Sequence, residues 1–379
     1  MTRTQATDTP APDAIRPRHA KRRHWLLVPA GWSPLQRWGA TVIILVLALA
    51  GTFLLDPYRN YLLALATAYV CGTAGLSLLV GRTGQLSLGH AAFMAAGAYA
   101  FAFTSNALAD AEAPSLAHLL LPFLVAVVAS SLLGLVVGIA GARLHGPYLA
   151  GLTLALVVAL SSITATFSGL FGGDAGFYVS VERRPEWLAS IIAQEQWQAW
   201  VGLVVAAIVL GALSQLVRSP AALRMQAVRD DEPAARLSGI DPVTTRVGMF
   251  GISAAAAGLG GGVLAYVTQA VSPGAYGLTL SLFLLVAVVI GGVGTLAGAV
   301  WGAVVIVLVP ELTSALTEAL PLPAELSQRL DGNLAIVVFG VILVVVMLAA
   351  PRGIHGAVAG LVSRLRRHRG RPGAPTPTT

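Results

Sequence analysis

Apolar residues in this chain neither alternate nor keep to one helical face. They come in long runs separated by short polar stretches. Most of the runs are long enough to cross roughly 30 Å of hydrocarbon as a helix. A barrel would instead show short segments of alternating polarity. The pattern predicts an all-α, polytopic transmembrane bundle of about ten spans, at roughly 38–55, 60–80, 85–105, 117–142, 148–168, 199–217, 246–270, 279–292, 295–309 and 333–350. The stretch 279–309 reads either as one long tilted helix or as two short arms around Gly291-Gly292-Val293-Gly294.

Charge decides between these two readings. The basic residues lie beside the apolar runs, as orientation signals do. The N-terminal tail, the turns at Arg82 and Arg143, the 218–246 loop and the C-terminal tail hold all but four of the 24 Lys and Arg residues. Arg59, Arg183, Arg184 and Arg329 fall on the other side, with 11 of the 17 acids. The first set therefore faces the cytoplasm, both termini included, and the span count is even. Arg246 and Arg352 then need an even number of crossings between them, which two arms supply. Ala48-Leu49-Ala50 resembles a signal-peptide cleavage site. The polar region before it is too long, however, and the apolar run continues to Leu55, so the first span is expected to be retained.

The chain has 379 residues, of which 56% are hydrophobic and 11% charged. Soluble domains carry about 25% charged residues. Residues 38–350 form the expected permease domain. The tails at 1–37 and 351–379 are basic and rich in Pro, Thr and Arg, a disordered composition. The net charge of +7 is explained by orientation, so nucleic acid is not an expected partner. The single cysteine, Cys71, sits in an apolar run and reads as a small buried residue.

Several functions lack the residues they need. There is no His-Glu-x-x-His helix, no paired-acid diphosphate motif and no Gly-x-Ser-Gly setting, so neither catalysis nor a metal site is expected. Every acid falls in a loop, a tail or at a span end, whereas ion-coupled carriers place acids inside the membrane. No phosphate-binding Gly-Lys-Ser/Thr exists, since the only lysine is Lys21. If transport is active, a partner hydrolyses the ATP and this chain binds no cofactor.

The loop Arg218 to Arg246 reads as two short helices. Ser219-Pro220 starts one, with the hydroxyl as cap and proline at the first position, running to about 231. Pro233 starts the second, with Asp231 or Glu232 near its positive end, and Gly239 ends it. Its residues Ala234 and Ala235 are small enough to let another protein approach closely. A solvated connector is the simpler reading of the same residues.

This loop resembles the one with which binding-protein-dependent ABC importers dock their ATPase. That motif reads Glu-Ala-Ala, three residues, then Gly. Here Ala234-Ala235 is followed by three residues and Gly239, with Pro233 in place of Glu and the acid one place earlier, at Glu232. With "VGRTGQLSLGHAAFMAAGAYA" and "IGGVGTLAGAVWGA", the chain resembles the LivM-type permeases of branched-chain amino acid ABC transporters over about 40–350. The resemblance implies a permease of the bacterial plasma (inner) membrane, surrounded by lipid. Its partners would be two cytoplasmic ATPases, a second and similar permease subunit, and an external solute-binding protein. The docking residues would be Arg229, Asp231, Glu232, Ala234, Ala235 and Gly239. Branched-chain or related small amino acids are the implied substrates, and related permeases carry urea, short amides or aromatic acids. An autonomous channel or secondary carrier is the rival reading.

The candidate pathway lies in "GQLSLGHAAFMAAGAYA" and in the glycine break of the second half. Gln85, Ser87 and His90 cannot face lipid cheaply. Gly89 and Gly97 permit close approach or a helix break. Phe93 and Tyr99 either line the pathway or pack. His90 is either a buried imidazole bonded to a neighbouring carbonyl or a gate residue. Gly81–Leu86 and Gly291–Leu296 share Gly-x-x-Gly-x-Leu, which pairs Gly291, Gly292 and Gly294 with the first segment as interrupted helices near a midplane site. Gly294, Gly298 and Gly302 also form a small-residue ridge suited to packing, and Trp187, Trp197 and Trp200 read as interface anchors.

Overall fold

A computed structural model describes residues 34–144, 146–319 and part of 337–357. The long helices are α1 (Pro34–Gly51), α2 (Pro57–Thr83), α3 (His90–Asp110), α4 (Ser115–Gly141), α5 (Pro147–Thr166), α7 (Gln194–Arg218), α10 (Pro242–Thr268), α11 (Leu278–Gly291) and α12 (Leu296–Ala319). Short helices α6 (Ser168–Phe171), α8 (Pro220–Asp230) and α9 (Glu232–Leu237) lie between them. A two-residue ladder pairs Phe177–Tyr178 with Ala270–Val271, antiparallel. Among the described residues, eight helices are long and apolar enough to cross a membrane. The molecule is a polytopic helical bundle. Both tails lie almost wholly outside the described residues; the tenth predicted segment is helical where described, between 337 and 348.

The centre is α10, which packs against α2, α3 and α4, while α2 also packs against α7 and α12. Lipid is as apolar as leucine, so these contacts depend on close backbone approach rather than on escape from water. Glycine provides it. A Cβ on Gly261 of α10 would lie 1.9 Å from the Met94 carbonyl oxygen of α3, and one on Gly97 of α3 would lie 2.3 Å from that of Gly258. Between α11 and α12, Gly291 meets Gly298 and Gly302 meets Ala287, so the two helices run antiparallel as a tight hairpin. The break expected at 291–294 is present, and Gly292, at φ 123°, turns the chain where an L side chain would be strained.

Three expectations need correction. The third span does not begin at 85. Helix α2 ends on Gly84, residues 85–89 are not helical, and α3 starts at His90 and runs to Asp110. The last arm does not stop at 309. Helix α12 continues through Pro310, and Glu311 lies within it, accepting a hydrogen bond from Tyr58 Oη at 2.7 Å. Gly294 is not on the helical ridge with Gly298 and Gly302. It sits in the preceding linker, 2.2 Å from where a Cβ on Gly81 would be.

Gly261→Ala is expected to lower the melting midpoint of the purified chain, because overpacking costs about 1–3 kcal/mol. Gly211→Ala, with open space around it, should leave the midpoint unchanged. Thermal unfolding in detergent measures both.

Candidate functional site

The signature stretch forms a buried linker that re-enters the bundle. His90 Nε2 lies 3.5 Å from Ser253 Oγ, and Gly75 of α2 packs against the same Ser253. Ser253 is eleven residues after the start of α10 and Gly75 eight before the end of α2. At 1.5 Å per residue, α3 therefore begins roughly 12–17 Å inside the bundle. Residues 85–89 cover that distance outside any helix, with Leu86 39% exposed and Leu88 half-buried. Gln85, Ser87 and His90 are all buried.

Enclosed non-helical backbone must find hydrogen bonds elsewhere. Gly89 has no side chain to cap α3. Two hydroxyls from other helices serve the junction instead, one on the linker and one on the first turn of α3. Thr153 Oγ1 of α5 accepts from the Leu88 amide at 3.0 Å, and Ser281 Oγ of α11 accepts from the Ala91 amide at 3.0 Å. The sequence reading missed both residues. Only their polarity inside apolar runs marks them. Ser77 Oγ serves the second break in the same way, accepting from the Gly294 amide at 3.0 Å. The two Gly-x-x-Gly-x-Leu segments thus meet at Gly81 and Gly294.

The polar side chains of the linker are less well satisfied than its backbone. Gln85 Oε1 lies 3.0 Å from the Thr83 hydroxyl. Gln85 Nε2, Ser87 Oγ and His90 Nδ1 are buried with no hydrogen-bond partner among the described residues. The neighbour of His90 is thus a hydroxyl rather than the expected carbonyl, and its ring meets Phe93 edge-on at 5.5 Å. Phe93 is fully buried against Phe250. Tyr99 packs among Phe103, Phe171 and Phe177. Trp200 is used inside the fold, donating to Thr52 Oγ1 at 2.8 Å, whereas Trp187 is exposed.

The 218–246 loop folds as two helices. Ser219 precedes Pro220, but its hydroxyl donates to Leu216 O at 2.8 Å instead of capping α8, alongside its own amide, which bonds the same carbonyl at 3.1 Å. Asp231 caps α9, accepting from the Ala234 amide at 3.0 Å. Gly239, at φ 77°, ends it with open space on every side. Ala235 is buried, while Ala234 is exposed and Leu237 is 92% exposed. Glu232 pairs with Arg236 at 2.7 Å and also with Arg246, which ties α9 to α10. Arg229 of α8 donates to the Gly81 carbonyl and pairs with Asp230 at 2.8 Å. The loop is therefore bonded to α10 on one side and to the end of α2, beside the buried linker, on the other.

Asp241 caps α10. The Thr244 hydroxyl and the Thr244 and Val243 amides hold its carboxyl below the usual carboxylate range. That cap is fully present above the ordinary carboxylate pKa and is lost as pH falls through the lowered one.

A closely packed apolar bundle with an interrupted, polar interior defines a multi-pass membrane protein. A family model described as "Branched-chain amino acid transport system / permease component" matches residues 58–348. The high-affinity branched-chain amino acid transport system permease protein LivM of Escherichia coli (strain K12) is 30% identical over 294 residues, covering 72% of this chain and 67% of that protein. Its counterpart in Salmonella typhimurium (strain LT2) is 28% identical over 294 residues, covering 71% and 67%. No solved structure matches the chain. The chain belongs to the branched-chain amino acid transport permease family. It is a multi-pass permease component of the plasma membrane and not an enzyme.

Thr153→Val and Ser281→Ala are each expected to cost about 0.5–2 kcal/mol, as lost helix caps do. The effect should appear as a lower melting midpoint and as faster amide exchange confined to Leu88 and Ala91.

Proposed function

We propose that this chain is the translocating subunit of an ATP-driven importer for branched-chain or related small amino acids. It works by alternating access, together with a second, similar permease, two cytoplasmic ATPases and an external solute-binding protein. The relatives named above support the substrate class through their descriptions. The observation that carries the mechanism is the pair of ties from the loop. Helix α9 presents an exposed Leu237 and the small Ala234 to a partner. Any displacement of α9 pulls on α10 through Glu232 and Arg246, and α8 pulls on the end of α2 through Arg229 and Gly81.

Helices α10 and α2 are two walls of the linker that holds Gln85, Ser87, Gly89 and His90. Moving them apart opens the stretch where unpaired polar atoms are concentrated. In this reading Gln85, Ser87 and His90 exchange partners as the pathway opens, and Gly97, Gly291, Gly292 and Gly294 let the helices slide. Phe93 and Tyr99 form the packed side of the gate. Energy comes from ATP bound by the partner subunits.

Gly239→Val tests the docking loop. A left-handed position costs an L residue about 1–2 kcal/mol, and no atom nearby would clash. The variant should insert normally, while uptake of labelled leucine by the complete transporter falls about tenfold, through either loss of the ATPases or uncoupled hydrolysis. Normal uptake would refute the assignment. Arg229→Ala should keep the ATPases attached and hydrolysing while uptake drops. Competition of leucine uptake by urea and short amides reads the substrate class.

A further inference from the structure

We propose that a groove on the outer face of the bundle is a binding site for one anionic diacyl phospholipid of the surrounding bilayer. The groove has a volume of about 570 Å³ and lies between α1, α2, α7 and α12. Along α7 it extends from Leu203 to Arg218, a length of roughly 22 Å. That exceeds the depth of one leaflet, about half of a 30 Å hydrocarbon core.

Its polarity is graded along that length. The body is lined by Leu, Ile, Val and Ala side chains, and the Thr67 hydroxyl within it is already bonded to Ala64 O at 2.6 Å. Ser214, Gln215, Arg218 and Ser219 are gathered at one end, where α7 leaves the apolar region, and among the described residues no acid lines the groove. The Ser214 and Ser219 hydroxyls donate to Gly211 O and Leu216 O, both at 2.8 Å, which leaves the Arg218 guanidinium and the Gln215 amide as the headgroup partners. An apolar slot closed by a guanidinium and an amide matches an acyl chain ending in a phosphodiester. The same end carries the 218–246 loop, whose five arginines outnumber its four acids.

The geometry of α1 leaves the slot open toward lipid. Its far end is pinned, with Trp200 Nε1 and Gln196 Nε2 donating to Thr52 Oγ1 at 2.8 and 3.1 Å. Ile44 of α1 lines the groove and is 57% exposed, so lipid chains enter it from the side.

The test uses the complete transporter, purified in a lipid-preserving detergent and examined by native mass spectrometry. The wild type should retain phosphatidylglycerol in preference to phosphatidylethanolamine. Arg218→Gln should reduce the retained phosphatidylglycerol about fivefold. Gly211→Phe, which fills open space in the slot, should abolish retention without lowering the melting midpoint. Equal retention in both variants would overturn the proposal. So would a covalent link to any polypeptide from a thiol-attached photo-cross-linking label at Ala207→Cys, since a protein segment would then occupy the slot. The native cysteine, Cys71, is buried and does not compete for the label.

Discussion

Backbone-to-backbone approach across glycine holds this bundle together. In lipid, burying another leucine gains little over leaving it against an acyl chain. What is gained comes from dispersion contacts and from hydrogen bonds that lipid cannot offer. Helix α10 carries glycine at 258, 260 and 261, and each sits against the backbone or side chains of a different neighbour. Because these contacts admit no Cβ, they fix helix position to within a fraction of an ångström. The hairpin of α11 and α12 is built in the same way, and its turn lands against α2 at Gly81.

That rigidity makes the interrupted segment affordable. A stretch of partly buried, non-helical chain survives because the surrounding helices are held closely enough to aim single hydroxyls at single amides. Thr153, Ser281 and Ser77 each serve one amide group of a broken helix. The backbone of the signature stretch is thus satisfied while several of its side-chain atoms are not. In the proposed function, those atoms are the ones that change partners as the pathway opens.

Much of the architecture was legible in the sequence. Run lengths gave the helices, charge parity gave the break at Gly292, and Pro233 with Gly239 gave the bounds of α9. The start of α3 was not legible. "GQLSLGHAAFMAAGAYA" is apolar enough to read as continuous helix, and the partners that stabilise its extended part lie 65 and 190 residues away. Nor could local reading find Arg246 as the partner of Glu232, fourteen residues on and in a different helix. For the candidate site, residue types were legible but not their pairings. A hydroxyl in an apolar run looks the same whether it bonds its own helix, as Thr67 does, or caps another.

The distance between Ala91 and Ser281 has a consequence for how the protein is made. Ribosomes add about 5–20 residues per second, so the hydroxyl that caps α3 is synthesised roughly 10–40 s after the amide it serves. During that interval the nascent hairpin of α2 and α3 carries bare amides that a bilayer would penalise. The hydrogen bonding at the start of α3 is therefore completed only when α11 has emerged.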